Sequence, residues 1–473
     1  MSSVPLAVDL DGTMIRTDLL YESFFSVLKR YHFKAIFWCF CWLFRGRNIL
    51  KHELAERAEV NPEQLPQNLT VHQFVQQARL DGRPVWLATA ASEKLARSYG
   101  ATFQFQDHVF SSDLTTNLSG STKAKKLCEE FGEGAFDYIG DSIKDIPVWK
   151  ASRKAIMVNP PSGLVRKVRA FKKEEDIIVL REGRPLLKSL VKLLRPHQYV
   201  KNALILLPLL LSHQWQQAES LILALIAFAS FSMTASSVYV INDAFDVQSD
   251  RKHPQKRFRP IASGDISLTL AAALVVLLLG IGFTLGWVVS PMFVGILSIY
   301  LVTNLAYTLK LKQVIMLDVL LLSAFYTLRI FGGAVATQVE VSDWLLAFST
   351  FFFFSLALMK RYAELRHTTE GDQVAGRGYH KSDEALVLAQ GVGSGLISVM
   401  VFGLYIGGDQ VKLLYTKPFW LWFISIALLY WICRMWSLAH RGIVKGDPVL
   451  TAIKTPESYL VLAWIVVFGL LAI

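Results

Sequence analysis

The chain has 473 residues, a formal net charge of +11, 53% hydrophobic residues and only 18% charged ones. A soluble globular chain carries about 25% charged residues, so a wholly soluble protein is excluded. Residues 1–190 hold 27 Lys/Arg and 22 Asp/Glu, whereas residues 191–473 hold 22 and 16. A globular N-terminal part therefore precedes one of membrane composition, and neither is basic enough to read as a nucleic-acid binder. Cys39, Cys41, Cys128 and Cys433 suit neither a disulfide framework nor a zinc site, and Met1–Pro5 lacks the basic start of a secretory signal.

In chain order, Val4–Val8 is an apolar run that predicts a strand and ends in Asp9-Leu10-Asp11-Gly12-Thr13. Two acids and a Gly turn at a strand end are poorly explained by folding alone. Pro84–Ala88 is a second such run, ending at Thr89. Lys123 sits in GSTKAKKL at the start of a helical stretch, and Phe136–Ile139 leads into Gly140-Asp141-Ser142-Ile143-Lys144-Asp145. Strand-like runs that each carry a polar group at the C-terminal end describe an open α/β sheet, which binds ligands at that edge. D-x-D-G-T, then Thr, Lys and G-D-S-x-x-D, in this order, resembles the haloacid dehalogenase (HAD) phosphatase superfamily over about residues 4–160. The resemblance implies a Rossmann-like α/β domain over 1–185 with a helical cap at about 18–80. It also implies Asp9 as nucleophile, Asp11 as general acid and base, and Thr89 and Lys123 as phosphate holders. Mg²⁺ would be drawn to Asp9, Asp11, Asp141 and Asp145. The alternative is a merely structural domain of that fold.

Residues 33–44 read FKAIFWCFCWLF between Arg30, Lys34, Arg45 and Arg47. Such a stretch is too short to span a bilayer and fits either a cap core or an interfacial segment. Residues 164–188 read as a charged connector along the inner leaflet. From about residue 197, apolar stretches alternate with polar loops. They predict nine spans, near 197–214, 219–241, 268–289, 291–309, 314–337, 343–359, 385–408, 418–438 and 457–473. Sixteen Lys/Arg fall on one side, including Lys310, Lys312, Arg377, Lys381, Arg441, Lys445 and Lys454, against Lys412 and Lys417 on the other. This bias predicts an inner-membrane protein with its N-terminal domain in the cytoplasm and its C-terminus outside.

The loop after the second span reads NDAFDVQSDRKHPQKRFRPIASG. Asn242, Asp243, Asp246 and Asp250 recur at spacings of three and four, on one face of a helix end. Oxygen-rich groups of this type suit Mg²⁺ with substrate phosphates, and Lys256, Arg257 and Arg259 follow as candidate phosphate grips. N-D-x-x-D-x-x-x-D followed by R-P-I-x-S-G resembles the first aspartate motif of the UbiA superfamily of intramembrane prenyltransferases. The resemblance covers residues 190–473 and implies an all-α bundle, here of nine helices (domain 186–473), that binds a diphosphate through Mg²⁺. A second D-x-x-x-D is replaced by MKRYAELRHTTEGD, with Lys360, Arg361 and Glu364. K-R-Y-A-E-L, LRPHQYVKN at 194–202 and LDVLLLSAFYTLRIFGGA at 317–334 are similar to the decaprenyl-phosphate phosphoribosyltransferase branch.

That branch implies phosphoribosyl diphosphate and a polyprenyl phosphate as substrates, with Lys201, Asn202, Lys360 and Arg361 near their phosphates. Asp318 and Arg329 lie within one span, three helical turns apart, so they share a face. They read either as cavity residues or as a structural pair. The expectation is a bifunctional membrane enzyme that makes a polyprenyl-phosphate phosphoribose and strips its 5-phosphate. The alternatives are a prenyltransferase acting on an aromatic acceptor, beside a phosphatase of separate substrate, and a scaffold whose N-terminal domain only binds.

Overall fold

The computed structural model describes residues 4–473 apart from 32, 106–107, 184, 369–371, 375 and 445. Lys445, counted above among the basic loop residues, lies outside the described residues. The chain divides into two compact units, Met1–Leu194 with Tyr239–Val275, and Arg195–Val238 with Val276–Ile473.

The first unit is built on a six-stranded sheet ordered β3-β2-β1-β4-β5-β6. The strands are β1 (Leu6–Val8), β2 (Val85–Ser92), β3 (Val109–Ser112), β4 (Asp137–Gly140), β5 (Ala155–Val158) and β6 (Ile177–Leu180). All neighbours pair in parallel, with Ala7 opposite both Trp86 and Tyr138. Both faces are covered. Leu6 and Val8 join Leu87, Ile139, Ile156 and Val158 in one core, and Ala7 joins Ala88, Tyr138, Met157 and Trp149 in the other. This two-sided burial explains the uninterrupted apolar runs, because a strand between two helical layers has no polar face. The expected α/β sheet is present, and chain order reverses at β1, where β2 leaves on one side and β4 on the other.

Between β1 and β2 lie helices α1 (Leu19–Tyr31), α2 (Phe33–Arg45) and α3 (Arg47–Arg57), followed by Leu69–Leu80. Val71, Val75 and Ala78 of Leu69–Leu80 pack in the core of the sheet, while the first three helices make a small core of their own from Val27, Leu28, Ala35, Trp42 and Leu54. Only one face of α2 enters it, and Ile36, Phe37, Phe40, Leu43 and Phe44 stay exposed. One face of α2 thus lies in that core and the other lies outside it.

Seven described helices are long and apolar enough to cross a membrane: Ala218–Phe245, Leu268–Val289, Pro291–Leu309, Leu317–Thr337, Asp343–Arg366, Lys381–Ile406 and Pro418–His440. An eighth crossing is available if Pro448–Lys454 and Pro456–Ala472, bent by 88°, act as one. The count of nine regular helices is thus corrected. The expected first span is a 3₁₀ segment, Pro196–Leu206, running into the short helix Leu207–Leu211. Pro196 and Pro208 bring no N–H to an α ladder. The segment also presses on Gly333 so closely that an added Cβ there would stand 2.0 Å from the Ile205 carbonyl oxygen. The last helix runs back beside Pro418–His440. Glu457 pairs with Arg434 at 2.6 Å near its start, and the Lys417 amide donates to the Ala472 carbonyl at 3.0 Å near its end.

Candidate active sites

The central strands of the sheet deliver their polar ends to one edge. Asp9 follows β1, Thr89 lies in β2 and Asp141 follows β4. Lys123 comes from the first turn of Ser121–Phe131, and its ammonium, though buried, lies 2.9 Å from Asp9 Oδ1 and 3.9 Å from Asp145 Oδ1. Lys123 also donates to the Tyr138 hydroxyl at 2.9 Å, which in turn donates to Asp145 Oδ1 at 2.8 Å. The other Asp145 oxygen accepts from the Asp141 and Ser142 amides, fixing the G-D-S-x-x-D turn. The buried Thr89 hydroxyl oxygen accepts from the Ala91 amide at 3.0 Å.

Ligand oxygens of Asp9, Asp141 and Asp145 all lie within 4.8 Å of one another. Three hard carboxylate donors facing one lysine fit a divalent cation such as Mg²⁺. Asp11 stands apart from this trio, and its carboxylate accepts from the Leu19 amide at 2.9 Å, at the head of α1. Gly12 has φ +74°, and a Cβ there would stand 2.3 Å from Asp141 Oδ2, so the turn needs glycine. Burial pushes the Asp9 carboxyl up to about 6 against the pull of Lys123. Burial and then Asp18 hold the Asp11 carboxyl well above the usual carboxylate range.

The site lies in a cavity of about 390 Å³, which also takes in Arg47 and Lys51 of α3, Asn117, Lys144, Ser267 and Thr269. Lys51 Nζ donates to the Ala90 carbonyl and to Asn117 Oδ1, both at 2.9 Å. Sequence reading missed Tyr138 and Lys51. Both are unremarkable in their segments, and only tertiary packing shows what their polar ends meet.

The loop of acids closes the helix Ala218–Phe245. The Asp246 amide donates to the Asn242 carbonyl and the Asp250 amide to the Asp246 carbonyl. Asp243 and Asp250 are buried, and Arg259 Nη1 reaches both, at 3.1 and 2.7 Å. Arg259 thus already serves two carboxylates of the motif, while Lys256 and Arg257 are exposed. Arg251 forks onto Glu22 of α1 at 2.7 and 3.0 Å, and Arg16 meets Asp265 at 2.5 Å.

In the second unit, Lys201 is ion-paired with Asp447. Asn202 donates to Ser232 Oγ at 2.9 Å and accepts from Arg329 Nε at 2.8 Å, with the Arg329 guanidinium 4.9 Å from the centre of the Phe231 ring. Asp318 accepts from the Tyr379 hydroxyl at 2.7 Å and lies 2.7 Å from Arg361 Nε, both groups fully buried. Arg361 also pairs with Glu364. Lys360 is half-buried one residue away. Asp318 and Arg329 therefore do not pair with each other. Asp447 and Tyr379 were missed by sequence reading. Asp447 stands before Pro448 as a helix cap, a signal of helix start that carries no hint of a cationic partner.

The model of the UbiA prenyltransferase family matches residues 203–455. The chain belongs to this family. The uncharacterized protein y4nM of Sinorhizobium fredii is 35% identical over 97% of this chain and 89% of its own length. A decaprenyl-phosphate phosphoribosyltransferase of Mycobacterium tuberculosis is 37% identical over 184 residues, spanning 38% of this UbiA-family chain and 61% of that protein. Among solved structures, a UbiA homologue from Archaeoglobus fulgidus bound to GPP and Mg²⁺ is 16% identical, with a TM-score of 0.47, over 59% of this chain and 99% of that one.

Proposed function

We propose that the chain is a two-activity enzyme of the cytoplasmic membrane. Its UbiA-type part transfers phosphoribose from phosphoribosyl diphosphate to a polyprenyl phosphate, and its N-terminal domain is a HAD-type phosphatase that removes the 5-phosphate of that product. The observation that carries the phosphatase reading is the buried Asp9 carboxylate, 2.9 Å from the Lys123 ammonium and grouped with Asp141 and Asp145 at a parallel-sheet edge. The transfer reading rests on the likeness to the mycobacterial phosphoribosyltransferase and on the N-D-x-x-D and K-R-Y-A-E-L segments.

In the phosphatase, an Asp9 oxygen attacks phosphorus and the bond from phosphorus to the sugar oxygen breaks. Asp11, whose carboxyl is raised by its burial, gives its proton to that oxygen. The Asp11 carboxylate then takes a proton from water, whose oxygen attacks the aspartyl phosphate, releasing phosphate and restoring Asp9. Lys123 balances the phosphoryl charge throughout. A divalent cation held by Asp9, Asp141 and Asp145 would further offset that charge. In the transferase, the ribose C1–O bond to diphosphate breaks and a lipid phosphate oxygen bonds to C1. Asp243 and Asp246 are the residues that would hold a cation for the leaving diphosphate.

Asp9→Asn keeps the pocket's shape and removes the nucleophile. Membranes carrying it, given labelled phosphoribosyl diphosphate and polyprenyl phosphate, should accumulate lipid-linked ribose 5-phosphate, where the wild type yields lipid-linked ribose. Identical products by mass spectrometry would overturn the pairing of the two activities.

A further inference from the structure

We propose that α2 lies in the cytoplasmic leaflet as an interfacial helix, holding the phosphatase pocket at the headgroup level of the bilayer. The location of the pocket's substrate rests on the reading above; the position of α2 does not.

The outer face of α2 is built from Ile36, Phe37, Phe40, Leu43 and Phe44, which are 50–77% exposed. These positions follow helical spacing and form one stripe, while Ala35 and Trp42 on the opposite side are buried against Val27, Leu28 and Leu54. A contiguous patch of this kind on a domain in water is a liability unless something apolar covers it. Thirteen residues of helix reach only about 20 Å, short of the roughly 30 Å hydrocarbon core, so α2 can lie in a leaflet but not cross it.

Charge selects lipid as the occupant. Lys29, Lys34, Arg45 and Arg47 flank the stripe and are exposed, as is Arg30, which pairs with Glu59 at 2.5 Å, and no acid occurs in the sequence between Lys29 and Lys51. An apolar stripe edged with cations matches an anionic leaflet, with rings among the acyl chains and ammonium and guanidinium groups among the phosphates. Packing supplies the level. The core under α2 includes Phe245, whose ring meets Phe25 at 5.8 Å. Phe245 is the last residue of Ala218–Phe245, a helix long and apolar enough to cross a membrane, so the core beneath α2 meets the end of a candidate span. The cavity holding Asp9 is lined by Arg47 and Lys51, just after α2, and by Ser267 and Thr269 at the foot of Leu268–Val289. A phosphate carried on a lipid of the same leaflet would meet the pocket without leaving the surface.

The test uses the full chain, its four cysteines changed to serine, in vesicles of phosphatidylcholine and phosphatidylglycerol. Phe40→Cys and, separately, Phe44→Cys carry a nitroxide, with Lys125→Cys as an exposed reference in the same unit. Labels at 40 and 44 should collide with oxygen and be shielded from a water-soluble nickel chelate, with the reverse at 125. Nickel access at 40 and 44 equal to that at 125 would overturn the proposal, as would close label-to-label coupling at 40 that shows a second copy on the stripe. A triple Phe37→Ser, Phe40→Ser, Phe44→Ser variant should lose at least tenfold in hydrolysis of a vesicle-borne phosphomonoester while keeping its rate on p-nitrophenyl phosphate. Absence of hydrolysis of either compound by the wild type would sink the phosphatase reading and leave the label result standing.

Discussion

Asp137 opens β4 at the edge of the sheet away from the cavity, and is buried between two guanidiniums, Arg83 at 2.5 Å and Arg153 at 2.8 Å. Burial alone would raise its carboxyl, but the hydrogen bonds from Arg153 and Arg83 outweigh it and hold the group below the usual carboxylate range. A depressed folded value means stability that is present above the unfolded value, about 3.9, and is lost as pH falls through the folded one. Asp137→Asn should therefore lower the melting temperature at pH 7 by an amount worth roughly 1.5–3 kcal/mol, the usual worth of a hydrogen bond to a charged group. The gap to wild type should close below about pH 4; a difference independent of pH would show that the pairing does not matter. At Gly12 the issue is space and not charge. Gly12→Ala drives a methyl into Asp141, and displacement of a positioned group by about 1 Å commonly costs 10²-fold. Phosphomonoesterase activity should fall by about that factor, with weakened Mn²⁺ binding by electron paramagnetic resonance.

At the scale of elements, the central strands β1, β2 and β4 were legible as apolar runs that carry the polar groups they deliver. The strands β3, β5 and β6 were not, and β6 pairs in the sheet within the stretch 164–188 read as a charged connector. Asp9, Thr89, Lys123 and Asp141 could be named in order before any contact was known. The segment 196–211 was not legible as a 3₁₀ piece, since hydropathy reports where a stretch is stable and not which carbonyl each amide meets. The acidic loop was legible as spacing, but not as pairing. Nothing near Arg251 announces Glu22, which lies 229 positions away and also accepts from the Thr17 hydroxyl at 2.6 Å. Because Arg251 and Glu22 are both nearly inaccessible, removing one charge strands the other, a change that can cost about 3–5 kcal/mol where the pair is buried. Glu22→Gln should therefore loosen the segment after Phe245 that carries Asp246 and Asp250. Transfer of phosphoribose in membranes should drop at least tenfold at equal protein level, whereas Lys125→Gln on the exposed face should leave it unchanged. Equal transfer in Glu22→Gln and wild type would show that the loop holds its form without the N-terminal domain.

For the whole molecule, Pro456–Ala472 returns alongside Pro418–His440, so the C-terminal residues end beside Lys417. A 3₁₀ rise of about 2 Å lets Pro196–Leu211 reach roughly 30 Å, enough to cross although it is no regular helix. A reporter at Met1 should thus read as cytoplasmic and one after Ile473 as periplasmic or extracellular; both on one side would mean that 196–211 does not cross. The joining of Phe245, Arg251 and Asp265 to α1 and its approach bears on how the chain is made. Residues 16–25 are made before residues 245–265, so Phe25, Glu22 and Arg16 find their partners only after the helix Ala218–Phe245 and its trailing loop have been made. The first unit therefore closes only after that helix, itself long and apolar enough to cross a membrane, has been made.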